Sequence, residues 1–351
     1  MADACVWLGH LEPAARFLRD GLRLAEENGA PFLVSTGRTT EARLDWLTGR
    51  WAGLAVRTRA LVEEYRDLTS MTSELELVLG WLAAAEGNWA DAGEHFARTG
   101  ADTPEDAITP VAVAGCAGTA ACLMAGRAHT EAVAAVERAL AVVRGKDAWT
   151  WAADLAPVAV DAYLATDRAD DAARVVEELA AGITGRDAPL ATAALARCRG
   201  TLARERGEAA DWFREAAAGY ASLNTPYFAA LATEQAAACV ASSAPAEAVA
   251  LLSGVVDAFD DLGAVLDAAR SRRALRNLGG GKSPRRGRRC YGKNLSPRER
   301  EVARMLVAGL TNKEVAERLF LSPRTIEQHV ARLFRKLGIN SRTQLRPHHL
   351  D

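Results

Sequence analysis

Three groups of residues have types and spacings that could do chemistry. The first is Gly279-Gly280-Gly281-Lys282-Ser283, which ends as a phosphate-binding loop ends. Such a loop needs another glycine five positions before the last one, and Arg276 stands there. Pro284 follows where a helix should run, and no strand-like run comes before. The backbone cradle between strand and helix N-terminus is therefore missing, and no nucleotide is expected here. The second group is His10, His95 and His129 with six cysteines. None has metal-ligand spacing, and no nucleophile, base and orienting group fall together, so no catalytic residue, metal or cofactor is assigned. Cys5, Cys116, Cys122, Cys198 and Cys239 lie in Ala-rich surroundings and read as buried reduced thiols, whereas Cys290 reads as an exposed one. The third group is a dense set of Arg, Lys, Gln and Glu between Lys313 and Lys336, where a polyanion would be met.

Four helix starts frame that third group. Ser296, Thr311 and Ser341 each precede Glu or Gln by three residues, as Glu299, Glu314 and Gln344. Ser322-Pro323 adds a hydroxyl cap with proline at the first helical position. The first helix should run from Pro297 to about Ala308, with Val302, Met305 and Leu306 inward. The second places Val315, Ala316 and Leu319 on one face. In the third, Ile326, Val330, Leu333 and Leu337 recur at i, i+4, i+7 and i+11, which is a buried stripe. At about 100° per residue, Arg324, Glu327, Gln328, Ala331, Arg332 and Arg335 fan across the opposite face. A helix with an apolar back and such a front fits a major groove, its polar side chains meeting base edges and its cations meeting phosphates.

Charge is divided in the same way. From Lys282 to Asp351 there are 17 Lys and Arg against 6 Asp and Glu, a net of +11; the rest carries 26 against 39, a net of −13. A basic tail on an acidic body points to a polyanionic partner for the tail alone. The 351 residues are 49% apolar, enough for a large core. No run of eighteen apolar residues and no leader pattern occurs, so a cytoplasmic chain without membrane contact is expected. Five Lys against 38 Arg, with heavy Ala use, fits a GC-rich bacterial genome.

Residues 1–278 read as helix throughout. A short turn recurs at Leu8-Gly9-His10, Thr48-Gly49-Arg50, Glu86-Gly87-Asn88, Ala125-Gly126-Arg127, Thr166-Asp167-Arg168 and Arg206-Gly207-Glu208, with a weaker copy near Ser242-Ser243. The steps are 40, 38, 39, 41, 40 and 36 residues. Helical hairpins stacked at that period share one continuous core, since none buries its apolar face alone. The segment from Trp81 to Ala92 leading to Phe96 resembles a tetratricopeptide pattern, although the period exceeds its usual ~34 residues. The first turn leaves only eight residues ahead of it, which suggests the C-terminal part of a longer ancestral protein or a short first helix. Trp149, Trp151 and Tyr163 are weighed as a ligand groove or as core, and core is favoured; Glu63-Glu64 and Asp260-Asp261 read as solvated faces. The expected fold is all-α: a tetratricopeptide-like solenoid over 1–278, a flexible basic linker over 279–294, and a small four-helix domain over 295–351. In the linker Arg285, Arg286, Arg288, Arg289 and Lys293 supply non-specific phosphate contacts.

Leu295 to Leu345, in the runs LSPREREV, GLTNKEVAERLFLSPRTIEQHV and RKLGINSRTQL, resembles the LuxR-type (GerE-like) helix-turn-helix domain. The resemblance implies double-stranded promoter DNA as partner. It places Glu327, Gln328 and Ala331 at base-reading positions, and Lys313, Arg324, Thr325, His329, Arg332 and Lys336 at or near phosphates, with Arg335 joining them from the groove-facing side. Ile326 and Val330 fall on core positions. Family members continue the last helix and pair through it, but Pro347 allows hardly two turns here, so a homodimer on DNA would need another contact. Repeats joined to this module also resemble the large ATP-binding LuxR regulators of the maltose-activator type, whose nucleotide-binding domain is absent. The implied function is a transcriptional regulator whose repeats sense a protein or small-molecule effector. The alternative is a repeat-based interaction scaffold with a vestigial DNA module.

Overall fold

The computed structural model describes residues 1–279 and, beyond them, 302–303, 305–307, 310–312, 314–315, 326, 330, 333–334, 336–337, 339 and 344. The chain divides into two compact units, Met1–Gly281 and Lys282–Asp351. The fold is all-helical; no strand occurs among the described residues.

The first unit is a run of helical hairpins. They pair α1 (Ala2–Leu8) with α2 (Leu11–Glu27), α3 (Pro31–Leu47) with α4 (Leu54–Glu64), and α5 (Thr69–Glu86) with α6 (Trp89–Ala97). Next come α7 (Thr109–Ala125) with α8 (His129–Lys146), α9 (Leu155–Leu164) with α10 (Ala169–Ile183), and α11 (Pro189–Leu202) with α12 (Arg206–Ser222). Then α13 (Pro226–Val240) pairs with α14 (Pro245–Leu262), and α15 (Val265–Asn277) ends the unit. Five of the expected turns close in the same way. The amides of His10, Arg50, Asn88, Ala128 and Arg168 donate to the carbonyls of Cys5, Asp45, Ala83, Leu123 and Tyr163 at 2.8–2.9 Å. This is the six-to-one bond that satisfies a helix's last carbonyls when one residue turns left-handed. Gly9, Gly49 and Gly87 take that position, but Arg127 and Asp167 take it in the fourth and fifth hairpins.

The sixth turn departs from expectation. Gly207 lies inside the first turn of α12, and the chain leaves α11 through residues 203–205, with Ala203 and Glu205 extended. Two extended residues reverse the chain without a left-handed one, so glycine there marks no turn. The seventh turn, residues 241–244, falls where Ser242-Ser243 indicated.

Large side chains from one helix press onto glycines of the next. Phe96 of α6 is fully buried against Gly80 of α5 and Gly118 of α7; an ideal Cβ on Gly118 would lie 2.3 Å from the Phe96 ring. Trp81 meets Phe96 edge-on with centroids 5.0 Å apart. The aromatic fills the space that the small residues leave, as a close-packed interior requires.

The solenoid also closes on itself. An ideal Cβ at Gly9, after α1, would lie 2.9 Å from the Cβ of Leu190 in α11. Gly49, after α3, sits against Pro226 of α13 and Leu262 of α14, and Gly87, after α5, faces Leu266 of α15. Each of these first helices therefore meets the first helix five hairpins later, which makes one superhelical turn of about five hairpins. A buried ion pair joins α3 to the start of α9: Arg43 Nη2 donates to Asp154 at 2.6 Å, with its guanidinium 4.5 Å over the Trp7 ring.

Candidate nucleic-acid interface

In the second unit the described residues form one small core. Val302, Ala303, Leu306, Val315, Ile326 and Leu333 are buried, with Met305, Val330, Phe334, Leu337 and Ile339 packed around them. The expected stripe of the third helix thus faces inward at all four positions, Ile326 and Leu333 fully and Val330 and Leu337 in part. The cap at Thr311 also forms. Glu314 N donates to Thr311 Oγ1 at 3.3 Å, while the Glu314 carboxylate accepts from Thr311 N at 2.6 Å and from its hydroxyl at 2.8 Å. These bonds satisfy donors at the start of a helix that have no partner within it. Leu310 N to Met305 O, 3.1 Å, and Ile339 N to Phe334 O, 3.0 Å, repeat the six-to-one closure of the first unit.

Inward placement of Ile326, Val330, Leu333 and Leu337 leaves one helix face for other contacts. Of the expected DNA-contacting residues, Lys336 is described: it is helical and half-buried. Glu327, Gln328, Ala331, Lys313, Arg324, Thr325, His329, Arg332 and Arg335 lie outside the described residues. So do Cys290, Pro347, the basic stretch 280–294 with Lys282-Ser283, and the starts at Ser296, Ser322 and Ser341.

Other candidates resolve into structural roles. His10 approaches Asp187 at 3.4 Å, and His95 pairs with Glu76. Among the described residues no three metal-binding side chains gather. Trp149 and Tyr163 are buried in the core, and Trp151 packs against the cluster that holds Trp7 and Phe96. Glu63, Glu64, Asp260 and Asp261 are exposed. The cysteines differ from expectation: Cys116 and Cys198 are buried, while Cys5, Cys122 and Cys239 are half-buried. Burial pushes the thiols of Cys116 and Cys122 to about 11 and that of Cys198 to about 12, so none is a ready nucleophile. No helix among the described residues is long and apolar enough to cross a membrane. Sequence reading missed a cavity walled by the first helices of the hairpins; its residues are far apart in sequence and no local pattern joins them.

Residues 293–347 match the family described as bacterial regulatory proteins, luxR family. An HTH-type transcriptional regulator of Mycobacterium bovis is 47% identical over 72 residues, 20% of this chain and 8% of that protein. The DNA-binding transcriptional activator DevR/DosR of Mycobacterium tuberculosis is 46% identical over 50 residues, covering 14% and 23%. The spore germination protein GerE of Bacillus subtilis is 44% identical over 50 residues, 14% of this chain and 68% of that protein. The chain belongs to the luxR family of bacterial regulatory proteins through this C-terminal segment. It spans under a tenth of the length of the Mycobacterium bovis regulator. A crystal structure of a Rap protein complexed with competence and sporulation factor aligns with 79% of this chain and 95% of that one, at 12% identity and a TM-score of 0.48.

Proposed function

We propose that this chain is a cytoplasmic, sequence-specific DNA-binding transcription regulator whose hairpin repeats sense an effector. The observation that carries the reading is the luxR-family match over 293–347, supported by the inward stripe at Ile326, Val330, Leu333 and Leu337. On this reading Glu327, Gln328 and Ala331 meet base edges, while Lys313, Arg324, Thr325, His329, Arg332, Arg335 and Lys336 hold phosphates. The acidic repeats and the basic tail, −13 against +11, keep the polyanion on the tail. Residues 279–294 serve as the linker between the two parts.

The test is selection of duplex DNA by the full chain, followed by binding at several salt concentrations. Gln328→Ala relaxes preference at one or two base pairs, costing about 1–3 kcal/mol on the best site. Lys313→Ala weakens all sequences alike and lowers the salt slope by about one. Wild-type behaviour of both variants on the selected site, at every salt concentration, refutes this docking.

A further inference from the structure

The first helices of the hairpins wall a cavity of about 260 Å³, which lies inside the first unit. It is somewhat smaller than the ~300–1,000 Å³ of drug-sized sites. Most of the wall is apolar and aromatic, contributed by Trp46, Trp81, Tyr227 and Phe228 among others. Trp46 is fully buried, and the indole N–H groups of both Trp46 and Trp81 have no partner in the protein.

The charges around the cavity sort into paired and open. Asp154 is taken by Arg43 at 2.6 Å. Asp267 accepts from the Tyr227 hydroxyl at 3.0 Å and from Arg270 at 2.6 Å, and Arg270 also holds Glu234. Asp161 on α9 and Arg197 on α11 are different. Among the described residues the Asp161 carboxylate has no hydrogen bond or ion pair; the Arg197 guanidinium spends only its Nε, on Gln235 at 3.0 Å. They line the same cavity without pairing with each other. Burial raises the Asp161 carboxyl above its usual range, and Arg197 opposes that rise. Both are half-buried, so the cavity offers one carboxylate and one guanidinium with hydrogen-bonding capacity to spare.

We propose that this cavity binds a small zwitterion of the amino-acid class. Asp161 takes the ammonium group, the free guanidinium nitrogens of Arg197 take the carboxylate, and the aromatic wall takes an apolar side chain. The site deepens the effector-sensing reading given above, and it names the class of effector. A ligand held between α9 and α11 bridges adjacent hairpins of the superhelix. Its differential affinity for the closed arrangement is then the means by which it shifts the repeats.

The full chain is titrated calorimetrically, without DNA, with the twenty amino acids and with two probes lacking one charge, phenethylamine and 3-phenylpropanoate. An apolar or aromatic amino acid binds saturably, and each single-charge probe binds about tenfold or more weakly. Asp161→Asn abolishes the preference for phenylalanine over 3-phenylpropanoate. Arg197→Gln abolishes the preference over phenethylamine, and Arg197→Lys retains part of it. Far-UV circular dichroism and melting establish that each variant is folded. Absence of saturable binding by every amino acid overturns the proposal, as does discrimination that neither folded variant alters. DNA selection with the unliganded chain is read separately, so failure of ligand binding leaves the DNA reading standing, and the reverse.

Discussion

Gly118→Ala and Phe96→Ala together test whether the hairpins are held by aromatic wedges on bare helix backbone. Gly118 lies in the middle of α7, and a Cβ there would sit 2.3–2.5 Å from three atoms of the Phe96 ring. In an isolated helix, alanine at this place is favoured by about 1 kcal/mol. In the wild type that gain is opposed by overpacking of about 1–3 kcal/mol, because the fully buried ring has little room to retreat. The single substitution is therefore net destabilising, by up to about 2 kcal/mol. Phe96→Ala alone costs about 3–5 kcal/mol, from lost burial and the cavity left behind. In that background the clash is gone and the sign reverses: Gly118→Ala stabilises by about 1 kcal/mol. Urea unfolding followed by far-UV circular dichroism reads all four proteins. If Gly118→Ala moves the midpoint in the same direction and by the same amount in both backgrounds, Phe96 is not the wedge.

Two further outcomes follow from buried charge. Arg43→Ala strands Asp154 buried at the start of α9 and costs about 3–5 kcal/mol, whereas replacing both residues by leucine recovers most of it; equal melting temperatures for the single and double variants would contradict this. The Glu74 carboxyl is pushed up from 4.5 to about 8, first by desolvation and then by repulsion from Asp3, with Arg43 opposing. The folded state thus holds this proton more tightly than the unfolded chain does. Glu74's contribution is complete below about 4.5 and is lost as pH rises through about 8. Glu74→Gln should melt with the wild type near pH 4.5 and above it at pH 8, and melting curves across that window decide the matter.

Local signals account for what was legible in the sequence. Turns at Gly9, Gly49, Gly87, Gly126-Arg127 and Asp167 close by bonds between residues five apart, and the Thr311–Glu314 cap by residues three apart. The stripe from Ile326 to Leu337 is one helix's own periodicity. Gly207 misled because glycine is tolerated in a first helical turn, and extended residues can turn the chain without it. The half-burial of Cys5, Cys122 and Cys239 was not legible either, since Ala-rich surroundings do not tell which helix face the next hairpin covers.

Sequence by itself determined the helical class, the hairpin period, the charge division and the luxR-type module, because each is carried by spacing within one helix or one turn. Tertiary structure alone decided that α1, α3 and α5 come back against α11, α13 and α15. It alone paired Arg43 with Asp154, and it alone set Asp161 and Arg197 unpaired around one cavity. Closure depends on a small rotation at every hairpin interface, summed over five of them. Each rotation is set by how side chains such as Phe96 seat on glycine, and no local pattern contains that sum.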